Sequence, residues 1–241
     1  MDAARTDRLS RTQGKVTFSV ARLPEEVSYK DKAYAALKEA ICNLDLYKSS
    51  EPVMLDEREL SELLGVSRTP IREAVVMLQQ EGFLRVLPRR GIVVVRRTKR
   101  EIIEMVQAWA ALESMAARLI TLHGLDSEIA TLRPLFQSFG QEREVLEHLD
   151  EYSRANIAFH QALIRLSGSE TLATMTDNLT LHLRAIRHRT IFERNRAERS
   201  FDDHLRIISA LEARDTERAE RLARDHTLAL ADHVEKYVDL G

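Results

Sequence analysis

What the chain lacks narrows its chemistry before anything in it is read. Cys42 is the only cysteine among 241 residues, which excludes an intrachain disulfide and a thiolate-rich metal site. No run approaches the ~18 apolar residues of a membrane span. The arginine-rich start also lacks the apolar centre of a secretory signal, so a cytoplasmic protein with no membrane partner is expected. No HExxH, Gly-x-Ser-x-Gly, P-loop or dinucleotide fingerprint is present, and no catalytic residue is expected. Internal repeats and low-complexity segments are absent. What remains is a chain with 44% hydrophobic residues, enough for two cores.

A net charge of −2 hides an uneven distribution. Residues 56–100 hold ten Lys and Arg against six Asp and Glu, a surplus of +4, while 101–241 hold seventeen against twenty-four, or −7. A basic head on an acidic body suits a nucleic-acid-binding unit joined to one with no reason to touch phosphate.

Within the basic block, Asp56-Glu57-Arg58-Glu59 reads as a capping box opening a short helix with Leu60, Leu63 and Leu64 on one side. Gly65 ends it. A second helix opens at Ser67, whose hydroxyl can cap it, and Pro70 is tolerated in a first turn. Two short helices about a glycine make a helix-turn-helix. Arg68 and Arg72 lie one turn apart with Thr69 beside them, opposite Ala74, Val75 and Leu78. An arginine fork can donate to guanine O6 and N7 together, and an exposed helix N-terminus favours phosphate. Taken alone, the two arginines fit a merely solvated face equally well. The next stretch decides: Phe83–Leu87 and Ile92–Val95 have strand composition, and Pro88-Arg89-Arg90-Gly91 turns between them. The result is a two-stranded wing with an arginine pair at its tip.

Leu55 through Val95 closely resembles the winged-helix domain of GntR-family bacterial transcription regulators, above all over Gly65–Ala74 and Glu81-Gly82-Phe83-Leu84. The resemblance implies that Arg58, Arg68, Thr69 and Arg72 contact double-stranded operator DNA, with Arg89, Arg90 and Gly91 at the wing tip. Ser67 matches the family's small hydroxyl position.

Around this block, residues 1–27 read as a flexible tail, and a first helix runs from Ser28 to about Tyr47 with Tyr34, Leu37, Ile41 and Leu44 at helical spacing. The DNA-binding domain is expected over 28–97. A second capping box at Thr98-Lys99-Arg100-Glu101 leaves almost no linker, so the head is held close to the body. From 98 to 241 no stretch alternates as a strand. Six or seven amphipathic helices of about 12 to 24 residues are expected in an antiparallel bundle. Breaks are expected at His123-Gly124, Ser138–Gln141, Ser167-Gly168, Asn195-Arg196 and Arg214-Asp215, and a break or kink at Pro134.

Asn156 and His160 share an apolar face with Ile157, Leu163 and Ile164, while His204 and His226 sit on apolar faces of a predicted hairpin, each eleven residues from Asp215. Periodicity leaves two readings open. They are unrelated core histidines, or three imidazoles with a nearby amide oxygen that bind a borderline divalent ion such as zinc or nickel, with manganese as a further option. For His123, His148, His182, His188 and His233 no ligand role is expected.

Asn156-Ile157-Ala158-Phe159-His160, Ser167-Gly168, Asp203-His204 and His226 resemble the FCD effector domain of the FadR branch of that family. The resemblance implies a metal held by Asn156, His160, His204 and His226. Relatives often carry Asp at the first position, and Arg where this chain has Trp109, four residues before Glu113. The expected whole is a mainly α regulator: a winged helix-turn-helix, then an all-α bundle, acting as a homodimer controlled by a small carboxylate effector. The alternatives are a metal-dependent hydrolase with a DNA-binding head, and a bundle that only dimerises.

Overall fold

The computed structural model describes residues 8–13, 16–21, 28–44, 46–47, 51–139, 146 and 148–239. Inside the expected tail, strands β1 (Arg8–Gln13) and β2 (Val16–Ala21) pair antiparallel, from Arg8↔Ala21 to Gln13↔Val16. Val16-Thr17-Phe18-Ser19-Val20 alternates apolar and hydroxyl residues at the period of a strand, a signal masked by the polar composition of the segment as a whole.

Ser28 opens helix α1 (Tyr29–Cys42) by accepting the Asp31 N–H at 3.2 Å, and Ala33, Leu37 and Ile41 form its buried face. The helix stops short of the expected end near Tyr47. Leu46 and Tyr47 are buried, and packing them against the body overrides the local helical pattern.

After strand β3 (Met54–Leu55), Asp56 caps helix α2 (Glu57–Leu64) by accepting from the backbones of Arg58 and Glu59. The return bond of the expected capping box, from Glu59, is not made. Leu63 is exposed rather than aligned with the half-buried Leu64, because the buried stripe of a two-turn helix follows Leu60 and Leu64, four apart. Gly65 ends the helix at φ 64°, a conformation glycine adopts without steric cost. Helix α3 (Arg68–Gln80) then buries Ile71, Ala74, Val75 and Leu78. Ser67 stands at its N-cap without a side-chain bond, contrary to expectation. Pro70 occupies the third position of the helix, where a cap would find its donor, and has no N–H to give.

Strands β4 (Leu84–Leu87) and β5 (Gly91–Val94) pair from Leu84↔Val94 to Leu87↔Gly91, and β3 adds to the other side of β5. The expected two-stranded wing is therefore part of a three-stranded sheet, ordered β3-β5-β4. Two residues are too short to display an alternation. Gly91 has φ 102°, and a Cβ there would stand 3.2 Å from the Leu55 carbonyl oxygen, so the crossing strand requires glycine.

Thr98 and Glu101 form the expected reciprocal box at the start of α4 (Lys99–His123). The next segment contains only α5 (Asp126–Ile129) and a 3-10 turn (Arg133–Phe136) that holds Pro134, so α-helical order breaks there rather than bending. Long helices α6 (Leu149–Leu166), α7 (Glu170–Ile191), α8 (Arg196–Glu212) and α9 (Thr216–Tyr237) complete the body. Among the described residues there are thus five long helices and one short one, with breaks at Gly124, Ser167-Gly168, Asn195 and Asp215 as expected. Residues 140 and 141 of the remaining expected break lie outside the described residues.

One apolar cluster runs from Leu37, Ile71 and Phe83 in the head into Ile102, Trp109, Ile186 and Val234 in the body. A second, around Phe136, Tyr152, Phe159 and Ile207, fills the far half. The head is seated chiefly on α7. Lys38 bridges Glu81 and Asp177 at 2.9 and 3.1 Å, Arg184 donates to Asn43 Oδ1 at 2.9 Å, and Tyr47 Oη meets His182 Nδ1 at 2.9 Å.

Candidate metal centre and nucleic-acid interface

The start of α3 presents Arg68, Thr69 and Arg72 to solvent, and Ser67 is exposed beside them with its hydroxyl unused by the helix. Arg58 on α2 and Arg89 and Arg90 at the wing tip are also exposed, while Gly91 is half-buried in the turn. Arg89 adopts φ 62°, which turns the wing tip. Two of these cations are held by acids: Arg72 Nε donates to Glu57 at 2.7 Å and Arg58 Nε to Glu62 at 2.9 Å. Both pairs are largely solvated and exchange at little cost, since such pairs contribute ~0–1 kcal/mol.

In the body, the hairpin of α8 and α9 brings His204 and His226 together with ring centroids 4.6 Å apart and planes tilted by 60°, and α6 brings His160 within 5.5 and 5.3 Å of them. One nitrogen from each ring lies within 4.8 Å of the others, and all three residues are buried. Asn156 is buried one turn before His160. Sequence periodicity located all four residues on inward faces. His182 and His233 are also buried but have other partners, Tyr47 and Glu193, and His123, His148 and His188 are exposed.

The groups that orient the three rings were not assigned from sequence. Glu113 Oε1 holds His160 Nδ1 at 2.5 Å, Tyr152 Oη holds His204 Nδ1 at 3.1 Å, and Asp203 Oδ2 lies 3.4 Å from His226 Nδ1. With Nδ1 protonated, each ring donates to its oxygen and keeps Nε2 bare, the arrangement metal-binding imidazoles use. His204 Nε2 is buried without a hydrogen-bond partner among the described residues. These donors fit a divalent ion of the zinc or nickel class; tetrahedral bonds of about 2.0 to 2.1 Å require the nitrogens to draw together to about 3.3 Å. A sequence signal for Glu113 did exist: it is a carboxylate on the face of α4 that also carries Trp109, Ala116 and Ala117.

Burial pulls His160 well down, Arg187 pulls the same way, and Glu113 opposes them, so the imidazole is neutral at pH 7. Burial pushes Glu113 up, yet its partners outweigh this and hold it low. A neutral His160 cannot supply that attraction as a charge at pH 7. Arg187, 3.8 Å away, and the Thr227 hydroxyl, which donates to Oε2 at 2.5 Å, keep the carboxylate ionised. Arg187 is itself 5% exposed and stacks on Trp109 at 5.2 Å. A cation from α7 thus stands beside position 109. A cleft of about 920 Å³ between the start of α8 and the second half of α9 reaches the cluster through Arg196, Ser200, Asp203 and His226.

A winged helix-turn-helix head on a helical body defines a class, the DNA-binding transcription regulators. The chain belongs to the GntR family of bacterial regulatory proteins, whose model matches residues 30–94, and its body is an FCD domain, matched over residues 104–229. It is 31% identical to the Uxu operon regulator of Haemophilus influenzae over 70% of this chain and 69% of that one. It is 27% identical to the HTH-type transcriptional repressor RspR of Escherichia coli over 75% and 78%. Among solved structures, E. coli McbR/YncC and a putative GntR regulator from Rhodococcus sp. RHA1 share the fold, each at TM-score 0.70 and 22% identity, covering 88% of this chain and 99% and 100% of theirs. The protein is a DNA-binding transcription regulator and not an enzyme, which sets aside the hydrolase alternative. Among the described residues no helix is long and apolar enough to cross a membrane.

Proposed function

We propose that the chain is a cytoplasmic, homodimeric regulator whose operator binding is controlled by a small carboxylate anchored on a divalent ion at His160, His204 and His226. The carrying observation is the cluster itself: three buried imidazoles, each with Nδ1 facing an oxygen, around a sealed His204 Nε2 that no group among the described residues satisfies. A bound zinc, nickel or manganese ion would offer an open position to an anionic oxygen. Asn156 would be a weaker oxygen ligand. In the head, Arg68, Thr69 and Arg72 read base edges, while Arg58, Ser67, Arg89, Arg90 and the backbone at Gly91 hold phosphates. Dimerisation is supported by an outward stripe of α4, Ala108, Ala111, Met115 and Leu122, with Leu125 beyond it, all exposed. α7 connects the two functions, since Arg187 faces the cluster while Asp177, His182, Arg184 and Arg189 grip the head.

Two measurements test this. Elemental analysis of protein purified without tag or chelator should give about one divalent ion per chain, and a coordinating acid should stabilise it by about 2.7 kcal/mol at one hundred times its Kd. This gain should vanish when the metal is stripped or in His160→Ala. Metal without any response to acids would make the ion structural and the bundle a dimerisation unit. For the head, Arg68→Ala with Arg72→Ala should cost about 1 to 3 kcal/mol per lost base contact on the operator. Unchanged affinity would remove α3 as the reader.

A further inference from the structure

A groove of about 450 Å³ opens where α4, the end of α6 and the start of α7 meet, walled by Trp109, Ile164, Gly168, Ala173, Thr176 and Asp177. It shares no residue with the cleft that reaches the histidines. Trp109 and Ile164, both buried, give it an apolar floor, while its polar groups are chiefly acceptors. The Thr176 hydroxyl donates to the Leu172 carbonyl at 2.9 Å and Thr180 to the Thr176 carbonyl at 2.9 Å, so both oxygens have only lone pairs left to offer. Glu170 and Asp177 add two carboxylates against the single guanidinium of Arg165. One donor runs the other way: the Trp109 indole Nε1 is buried without a hydrogen-bond partner among the described residues. A sealed donor without an acceptor is rare and needs an explanation.

Asp177 ties this groove to the head. Its carboxylate accepts from Lys38 Nζ at 3.1 Å, and the same ammonium reaches Glu81 at 2.9 Å, the residue that closes the recognition helix α3. Tyr34 Oη also donates to Glu81. The Asp177 side chain is 66% exposed, so a cation in the groove can compete with Lys38 for it.

We propose that this groove is a second ligand site, separate from the histidine cluster, for a compact apolar amine. The ammonium pairs with Asp177 and Glu170, the apolar body lies on Trp109 and Ile164, and an oxygen of the ligand accepts from Trp109 Nε1. A mainly apolar cavity with a few placed polar groups is the usual form of such a site. The bound ammonium draws Asp177 from Lys38 and loosens the body's hold on the end of α3.

Calorimetric titration of the full chain with tyramine, phenethylamine and hydroxyphenylpropionate tests the site. The emission of Trp109, the only tryptophan in the chain, gives a local readout. Tyramine should bind at least about tenfold more tightly than the propionate, which carries a carboxylate in place of the amine, and about threefold more tightly than phenethylamine, which lacks the oxygen. Glu170→Gln with Asp177→Asn should bring tyramine and the propionate to within about twofold. Both side chains are exposed, so the exchange leaves the core intact. Stripping divalent metal with a chelator should leave tyramine binding unchanged. Tyramine should also lower operator affinity about threefold or more, and should not do so in Lys38→Gln, where the tie is already broken and the groove is whole. Equal binding of the three probes, unchanged Trp109 emission, no binding, or a preference retained in the acid variant overturns the site. Binding that disappears with the metal places the amine in the histidine cleft and overturns it too. An operator response that persists in Lys38→Gln overturns the tie through Asp177.

Discussion

Glu113 carries the electrostatics of the site, because one buried carboxylate orients His160 and compensates Arg187. Breaking such a contact by removing one partner leaves the other charge stranded, at about 3 to 5 kcal/mol. Glu113→Gln, measured by urea unfolding, should lose a good part of that and should weaken zinc binding about 10- to 100-fold, as removal of a metal ligand's orienting group does. Arg187→Met in the same chain should recover part of the stability but not the metal affinity. A fully additive double mutant would show that the 3.8 Å contact carries no coupling. The sequence made His160, His204 and His226 legible because inward faces follow from period. It left Glu113, Tyr152 and Arg187 unassigned, because each approaches its partner from another helix and only packing brings them together.

At the scale of elements, Gly91 and α4 make separate demands. The wing turn needs positive φ at Gly91, and a Cβ would press on the Leu55 carbonyl. Gly91→Ala should therefore cost about 1 to 3 kcal/mol of stability and loosen the wing, weakening binding to all DNA sequences in a gel-shift series. The exposed apolar stripe of α4 is a face to bury. Met115→Glu with Leu122→Glu should shift the chain to monomer in sedimentation experiments, with the helical content unchanged; a dimer that persists places the interface elsewhere. The helix-turn-helix was readable at this scale because its signals are local: Asp56, Gly65 and Pro70 each act within a turn of themselves. The third wing strand was not, because Met54 and Leu55 become a strand only against β5.

The whole molecule is joined at Tyr47. Its hydroxyl accepts the Arg97 N–H at 3.3 Å and donates to His182 Nδ1, while its carbonyl accepts from Arg189. Tyr47→Phe should leave effector binding intact and reduce the effector's influence on operator affinity by about 1 kcal/mol, a typical fraction of an allosteric coupling. Operator titrations with and without ligand give that difference. The same joint is sensitive to acid. Burial, then Arg97, pushes His182 down to about 4, with Glu101 opposing, whereas the unfolded chain protonates near the ordinary histidine value of 6.5. The contribution is whole above pH 6.5 and is lost as pH falls toward 4, because over that interval the unfolded chain binds more protons. By about pH 5.5 this group alone costs about 1 kcal/mol. His182→Gln should flatten that part of the stability profile, and an unchanged slope would assign it to other groups.

The sequence by itself determined what depends on neighbours along the chain: the long helices of the body with their breaks at Gly124, Ser167-Gly168, Asn195 and Asp215, the helix-turn-helix with Arg68 and Arg72 on one face, and the inward direction of three histidines. Capping, glycine conformation and hydrophobic period act over a few residues, so they can be read without a fold. Tertiary structure decided what depends on partners distant in sequence. It ended α1 early so that Leu46 and Tyr47 could be buried, drew Glu113, Tyr152 and Asp203 onto the three imidazoles, and set Arg187 of α7 over Trp109. The physical reason is range: an imidazole's orientation and a buried charge's compensation are set by whatever side chain arrives across the core, and sequence spacing carries no record of that arrival.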